Sequence, residues 1–342
     1  MQSSRSPRAI AVACGLIATC CTMAKAQNLS SLGNHSVLTR GDFSTNSDVE
    51  GRTFVGGNLS GQNSSNFAIK LQKEVNSSDP TLVVAGDILR GNPINLNAGS
   101  LELGGSLSRT VNFNGGGALI RNPKLDYSEV IDELTKASEI LAALETNSKV
   151  TAPGSQPGPF NFNASPDENG LAVFDIQGSD FFGNQRVQQA DIFLNGATDV
   201  VINVGGSSIN WQYGNLVGSF TKTDTRSRVV WNFYEAKSVN FDSKNMMGQV
   251  LAPNAAVSSR ANIDGSIFAD SLTTTSEVHL PGYDGNFYGS FEEEEDESDG
   301  DAGGTGSSGG PDPVVIPEPS SLLLATTGVL LLARRRRSIQ AQ

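Results

Sequence analysis

Val49-Glu50-Gly51-Arg52-Thr53-Phe54-Val55-Gly56-Gly57-Asn58-Leu59 is the stretch on which the reading of the fold turns. An apolar residue and a glycine precede three residues of strand character, and two more glycines lead to a second apolar step. The first half recurs at Met246-Met247-Gly248-Gln249-Val250-Leu251-Ala252 and, seventeen residues on, at Ile263-Asp264-Gly265-Ser266-Ile267-Phe268-Ala269. The second half recurs at Val83-Val84-Ala85-Gly86-Asp87-Ile88 and Leu101-Glu102-Leu103-Gly104-Gly105-Ser106-Leu107. Glycine takes a corner at positive φ without a Cβ penalty, and β-branched residues fill a pleated interior. Strands of three to five residues, bounded by glycine corners and recurring about every 17 to 30 positions, predict a mainly β fold of the β-solenoid or β-helix kind. A β-sandwich gives similar local patterns and is the lesser alternative.

One segment departs from this pattern. From Leu125 to Leu144 the apolar residues fall at 127, 130, 131, 134, 137, 141 and 144, spacings of three and four that build one helical face. Pro123 precedes it and acids crowd its first turns, where they complement the helix dipole. These signals predict one long α-helix over about 125–146, packed alongside the β structure.

Composition narrows the function classes. The 342 residues include 37 glycines but only 18% charged side chains, and the formal net charge of −12 excludes a phosphate-binding footprint, so no nucleic-acid partner is expected. Both ends read as addresses. Arg5 and Arg8, the apolar run Ala9 to Met23, and Ala24-Lys25-Ala26 form a secretory signal over 1–26, with cleavage leaving Gln27 at the new N-terminus. Cys14, Cys20 and Cys21 all lie inside it, so the exported chain is expected to carry no thiol and no disulfide. At the other end, Pro317-Glu318-Pro319 is followed by fourteen uncharged residues and then Arg334-Arg335-Arg336-Arg337. A helix of that length spans about 21 Å, short of a roughly 30 Å hydrocarbon core, and the arginines hold its end in the cytoplasm. Before these residues, 292–316 opens with six consecutive acids and runs on into Gly/Ser, a linker composition that cannot bury a core. Its carboxylates could gather Ca2+ weakly, but the spacing of a calcium loop is missing, and no metal or cofactor is expected. The folded body is therefore placed at 27–291. Residues 27–316 carry 35 acidic and 17 basic side chains, a net −18.

Catalytic material is sparse. No G-x-S-x-G occurs, and only two histidines are present. His35, near the expected new N-terminus, reads as an exposed loop residue. Glu277 and His279 alternate in a strand-like segment, so both side chains point to one face, as a ligand-binding or acid/base pair or as a structural one. Asp42, Asp48, Glu50, Asp87, Asp264 and Asp270 could pair as glycosidase carboxylates or cap turns beside glycine. Thr221-x-Thr223-x-Thr225 and Thr273-Thr274-Thr275 are Thr-rich, but an ice-ordering surface would need them repeated on successive layers.

Two resemblances rest on these residues. The order of proline motif, short apolar stretch and arginine cluster at 317–342 resembles the PEP-CTERM sorting signal, which implies membrane insertion through a short helix and handling by an exosortase-type transpeptidase; a retained single-pass anchor is the alternative final state. Gly41-Asp42-Phe43, Asp48 to Arg52, Gly56-Gly57-Asn58, Val230-Trp231-Asn232-Phe233, Gly248 to Ala255, Gly265-Ser266-Ile267 and Glu277-Val278-His279 together resemble the choice-of-anchor A domain over roughly 30–290. More distantly, the chain is similar to the ice-binding adhesin domain, a β-solenoid with a helix alongside. The resemblance brings no established activity of its own; together with the export signals and the lack of a catalytic constellation it leads to the expectation of a secreted, surface-displayed protein of the extracellular matrix or biofilm, non-enzymatic and adhesive, with exopolysaccharide or other matrix components as partners. A polysaccharide-active enzyme on a β-helix and an ice-binding-like adhesin are the alternatives. Thr151 to Gly183 does not align with the family pattern.

Overall fold

The computed structural model describes residues 27–285 and 288–289. The chain divides into two units, Met1–Glu293 and Glu294–Gln342; the second lies outside the described residues. So do the signal at 1–26, the acidic linker and the apolar stretch before Arg334. Among the described residues no helix is long and apolar enough to cross a membrane.

The glycine-punctuated strands are stacked, in parallel and in register, as a β-helix-like body. Its largest ladder runs Leu119–Arg121, Ser100–Leu103, Pro80–Val84, Thr53–Val55, Val37–Thr39, Ile267–Thr274, Gln249–Ser259, Val229–Asn232, Asp199–Gly205 and Leu171–Gln177. This spatial order differs from chain order in one decisive way. The first strand of the ladder in sequence, Val37–Thr39, lies in its middle, flanked by Thr53–Val55 and by Ile267–Thr274. The N-terminal half builds outward to Leu119–Arg121, the chain crosses back, and the C-terminal half builds inward from Leu171–Gln177. The two halves meet where Val37 pairs with Ile267.

Recurrent motifs turn out to be stacked layers. With the largest ladder as the first face and the row of Ser208–Asn210, Ser238–Asp242, Phe43–Thr45 and Leu59–Ser60 as the second, Met246, Ile263, Val278 and Val49 follow one another along a third-face ladder that continues to Phe67. The copies at 246 and 263 are thus neighbours, and the copy at 49 joins the same column from the other end of the sequence. At the corner after the strand, Gly57, Gly86 and Gly105 sit on one another; a Cβ on Gly86 would lie 2.5 Å from the Gly57 carbonyl oxygen. Layers about 4.8 Å apart leave no room for a side chain there.

The long helix spans Ser128–Ala143, three residues shorter than expected at each end. Leu144 takes extended backbone and stops it, while Asp126 Oδ1 accepts the Ser128 N–H at 2.9 Å ahead of its first turn. Leu125 and Tyr127, read as helical, pack on the sheet from the preceding turn, and the Tyr127 ring stacks on Phe54 with centroids 4.1 Å apart. Ile131, Leu134, Ala137 and Leu141 cover the outward column Val83, Phe54, Leu38, Phe268 and Leu251. The column continues as Asn232 and Asn203, which tie down the second half of the helix. Asn232 Nδ2 donates to the Ser138 carbonyl at 2.9 Å, and Asn203 Nδ2 donates to that of Leu141 at 2.7 Å.

Inside, the N-terminal half is filled with aliphatics such as Val55, Leu82, Val84, Leu101 and Leu103. Aromatic rings fill the C-terminal half around Trp231. The unaligned stretch belongs to this second half: Gly158–Asn163 buries Phe160 and Phe162 and is paired on its outer side by an antiparallel strand, Lys149–Thr151.

Candidate functional site

Glu277 and His279 do share a face, with His279 Nε2 2.7 Å from Glu277 Oε2. The structure adds a third member that spacing did not indicate. Asp264 stacks beside His279 in the ladder and places Oδ1 2.7 Å from His279 Nδ1. Arg226 Nη1 lies 3.1 Å from the other Asp264 oxygen. Glu50, from the N-terminal half, accepts the Leu280 N–H at 2.9 Å and pairs with Lys70 at 3.8 Å. The cluster therefore straddles the junction between the halves. With a carboxylate on each ring nitrogen, His279 is oriented and engaged on both sides, an arrangement suited to closing the junction. No group of three or more His, Cys, Asp or Glu among the described residues could hold a metal ion.

Burial works against a charge on His279, but the hydrogen bonds from Glu277 and Asp264, with Glu50 and Asp264 nearby, outweigh it and raise its pKa above 6.5. A raised folded pKa means the imidazolium stabilises the fold fully below about pH 6.5, and that contribution is lost as pH rises through the folded value. His279→Gln is accordingly expected to flatten the fall in melting temperature above neutral pH relative to wild type, in a pH series of thermal melts. His35 behaves oppositely. It lies in the loop directly after the short helix Ser30–Asn34, but half-buried against Tyr127 rather than exposed, with Nδ1 3.1 Å from the Ser31 carbonyl; burial lowers its pKa, so its protonation destabilises as pH falls.

The other acids act as corner fastenings. Asp42 Oδ1 accepts the Asn58 N–H at 2.7 Å, Asn58 Oδ1 accepts that of Asp87 at 2.9 Å, and Asp87 Oδ1 accepts that of Ser106 at 2.7 Å. Each side chain secures the next layer's backbone, and the bond from Ser106 holds Asp87 below the usual carboxylate range. Asp48 takes both the N–H and the side-chain amide of Asn66, at 2.8 and 2.9 Å. Asp270 faces Arg40 at 3.9 Å. Thr221, Thr223 and Thr225 do not form a strand row; they lie in a short 3-10 turn and a one-turn helix, with Thr225 buried.

One surface stands out once the register is known. On the second face, Ile209, Val239, Val257, Leu272, Phe43, Leu59, Ile88 and Leu107 form an inward column of eight layers. The residue after each points outward: Asn210, Asn240, Ser258, Thr273, Ser44, Ser60, Leu89 and Ser108. The residue before each does so too: Ser208, Ser238, Ala256, Ser271, Asp42, Asn58, Asp87 and Ser106. Short hydroxyl and amide groups thus recur in seven of the eight layers over about 34 Å, the Ile88 layer presenting Asp87 and an exposed Leu89 instead. Hydrogen bonds run along the column, from Ser258 Oγ to Asn240 Oδ1 and from Asn240 Nδ2 to Asn210 Oδ1, both 3.1 Å. Thr273 is the only threonine in it, and Thr274 faces the core. No single segment announces this face, because it is assembled from eight.

Parallel ladders with a helix along one face and a row of short polar side chains on another define the class as a β-helix-like domain. Within that class, the chain belongs to the family described as putative ice-binding-like adhesive domain, whose profile matches residues 28–280. The PEP-CTERM protein-sorting motif matches residues 315–337, which implies export to the surface of a Gram-negative cell and exosortase-type sorting. Solved structures with some likeness include an ice-binding protein from the Antarctic ascomycete Antarctomyces psychrotrophicus (13% identity, 75% of this chain and 100% of that one, TM-score 0.29). Others are an ice binding protein from an Antarctic biological consortium (15%, 75% and 91%, 0.27) and one from an Antarctic Flavobacteriaceae bacterium (13%, 72% and 81%, 0.29). No curated protein matches the chain.

Proposed function

We propose that the exported chain is a non-enzymatic adhesin of the extracellular matrix, a β-solenoid of the choice-of-anchor A kind that holds matrix exopolysaccharide against its flat second face. The observation that carries this reading is the eight-layer array, mostly of Ser, Asn and Asp side chains with Thr273, Ala256 and Leu89 among them, regularly spaced and weakly charged. Many weak hydrogen bonds to a repeating polyhydroxyl chain add up by avidity where one would not suffice. The engagement of every candidate carboxylate in a corner or ion pair supports a binding role over hydrolysis. Exosortase-type machinery would cut at Pro317-Glu318-Pro319 and release the body from its arginine-flanked tail, with the acidic linker as spacer.

Replacing Ser44 and Ser258 with arginine puts two long side chains into the middle of the array without touching the core. Retention of the full-length protein on the producing cell's own matrix polysaccharide is expected to fall at least about tenfold, with unchanged melting temperature. Unaltered retention would reject the face as the contact surface. Thermal hysteresis of the wild type, lost in the same variant, would instead favour ice as the ligand of that face.

A further inference from the structure

The third face carries a feature that the flat array does not use. In successive layers its strands are Ser65–Phe67, Ile94–Leu96 and Val111–Phe113, and each is followed by a corner leading to the largest ladder. Two of those corners are short, 97–99 and 114–118. The first, 68–79, is twelve residues long and folds over its neighbours as a series of turns. Beneath the overhang lies a cavity of about 290 Å³ lined by Gln72 and Val75 of the long corner and by Asn97, Ala98, Gly99, Asn114 and Gly115 of the short ones. No lining side chain is charged.

Hydrogen bonds set the orientation of these amides. Asn97 Nδ2 is directed at the Phe67 and Asn95 carbonyls, at 3.4 and 3.3 Å, so its Oδ1 faces the next layer and accepts Asn114 Nδ2 at 3.3 Å. Asn114 is left with an acceptor oxygen and a second N–H. Among the described residues Gln72 makes no side-chain hydrogen bond, so its whole amide is available. Donors and acceptors side by side, without charge, match vicinal hydroxyl groups, each of which gives one hydrogen bond and takes another. Val75 and Ala98 add an apolar patch for the C–H side of a ring. The volume, at the lower end of ligand sites of about 300 Å³ and upward, admits one ring rather than a chain. Gly115 keeps the floor open and tight, because a Cβ there would meet Ala98 Cα at 2.6 Å.

We infer that the corner formed by Gln72, Val75, Asn97 and Asn114 is a binding site for a single neutral saccharide unit, separate from the flat face. The inference takes its sugar from the adhesin reading, but the site stands or falls on its own geometry. Small soluble sugars would occupy it, whereas the flat array needs a long chain.

The test is ligand-observed NMR on the full-length protein with neutral trisaccharides of glucose, galactose and mannose, and with trigalacturonate as the acidic control. Saturation transfer to at least one neutral probe is expected, with no transfer to trigalacturonate. Asn114→Asp, which removes a donor and introduces a negative charge, and Gln72→Ala, which removes the free amide, should each weaken that binding about tenfold. Both positions are exposed, so thermal melts should match wild type. The Ser44/Ser258 arginine variant should bind the small sugar normally, which separates this site from the flat face. Absence of transfer from every neutral sugar, equal transfer from trigalacturonate, or unweakened binding in both corner variants would overturn the site while leaving adhesion through the array intact.

Discussion

Trp231→Ala is expected to lower the stability of the folded body by about 3–5 kcal/mol, the range for deleting a large buried aromatic, and to lower its melting temperature by roughly 10 °C. Trp231 is completely buried at the centre of the C-terminal half. Its ring lies edge-on to Phe162 and Phe182, with centroids 5.7 and 5.9 Å away, and stacks with Phe181 and Phe220 at 6.2 and 5.7 Å. Its indole N–H donates to the Met247 carbonyl at 3.0 Å, which fastens one layer to the next. Alanine would leave a cavity walled by rings that belong to rigid stacked strands and cannot collapse inward. A Leu82→Ala variant in the aliphatic half should cost about 2–5 kcal/mol, so the indole's hydrogen bond and ring contacts should place Trp231 at or above it. Chemical denaturation of the two variants checks the comparison; a Trp231→Ala loss below about 1 kcal/mol would mean that the aromatic half is loosely packed.

The second large effect belongs to the helix clamp. Asn232 is buried under the helix, accepts the Ser138 hydroxyl at 2.5 Å, and donates to both the Ser138 carbonyl and Asn203 Oδ1 at 2.9 Å. Asn232→Ala strands a buried hydroxyl and a buried amide oxygen, each costing about 1–3 kcal/mol, so a loss of roughly 3 kcal/mol is expected. The loss should be local in character. Hydrogen exchange at 128–143 should quicken more than exchange in Thr53–Val55 or Pro80–Val84, because the helix rests on the stack and does not pair with it. Adding Ser138→Ala to the Asn232→Ala variant should cost less than the sum of the two single changes, since the hydroxyl left unpaired by the first is removed by the second. Strict additivity would show that the two residues do not act as one clamp.

Much of this architecture is local and could therefore be read in advance. A corner that must pass at positive φ, or beneath another backbone, calls for glycine whatever surrounds it, and so the repeated glycine motifs mark the corners. Apolar residues every three or four positions make a helical face in isolation, and that face is the one found buried. Glu277 and His279 share a face because strand side chains alternate. The errors have equally local causes. Leu125 and Tyr127 continue the apolar spacing but lie ahead of Ser128, where the Asp126 side chain fastens the first turn, and Thr221 to Thr225 looks strand-like only until the backbone curls into two short turns.

By itself, then, the sequence determined the strand and corner vocabulary, the covering helix and the C-terminal sorting motif. Only the tertiary structure decided which layer lies on which. Parallel pairing joins residues far apart in the chain, and nothing near Val37 shows that its neighbour will be Ile267. That long-range closure brings Glu50 to the Asp264–His279 pair and joins segments of both halves into one face, while stacking within the N-terminal half sets the long corner at 68–79 over two short ones. Each of these sites depends on register between layers, a quantity fixed by the packing of the whole stack and absent from any single stretch of it.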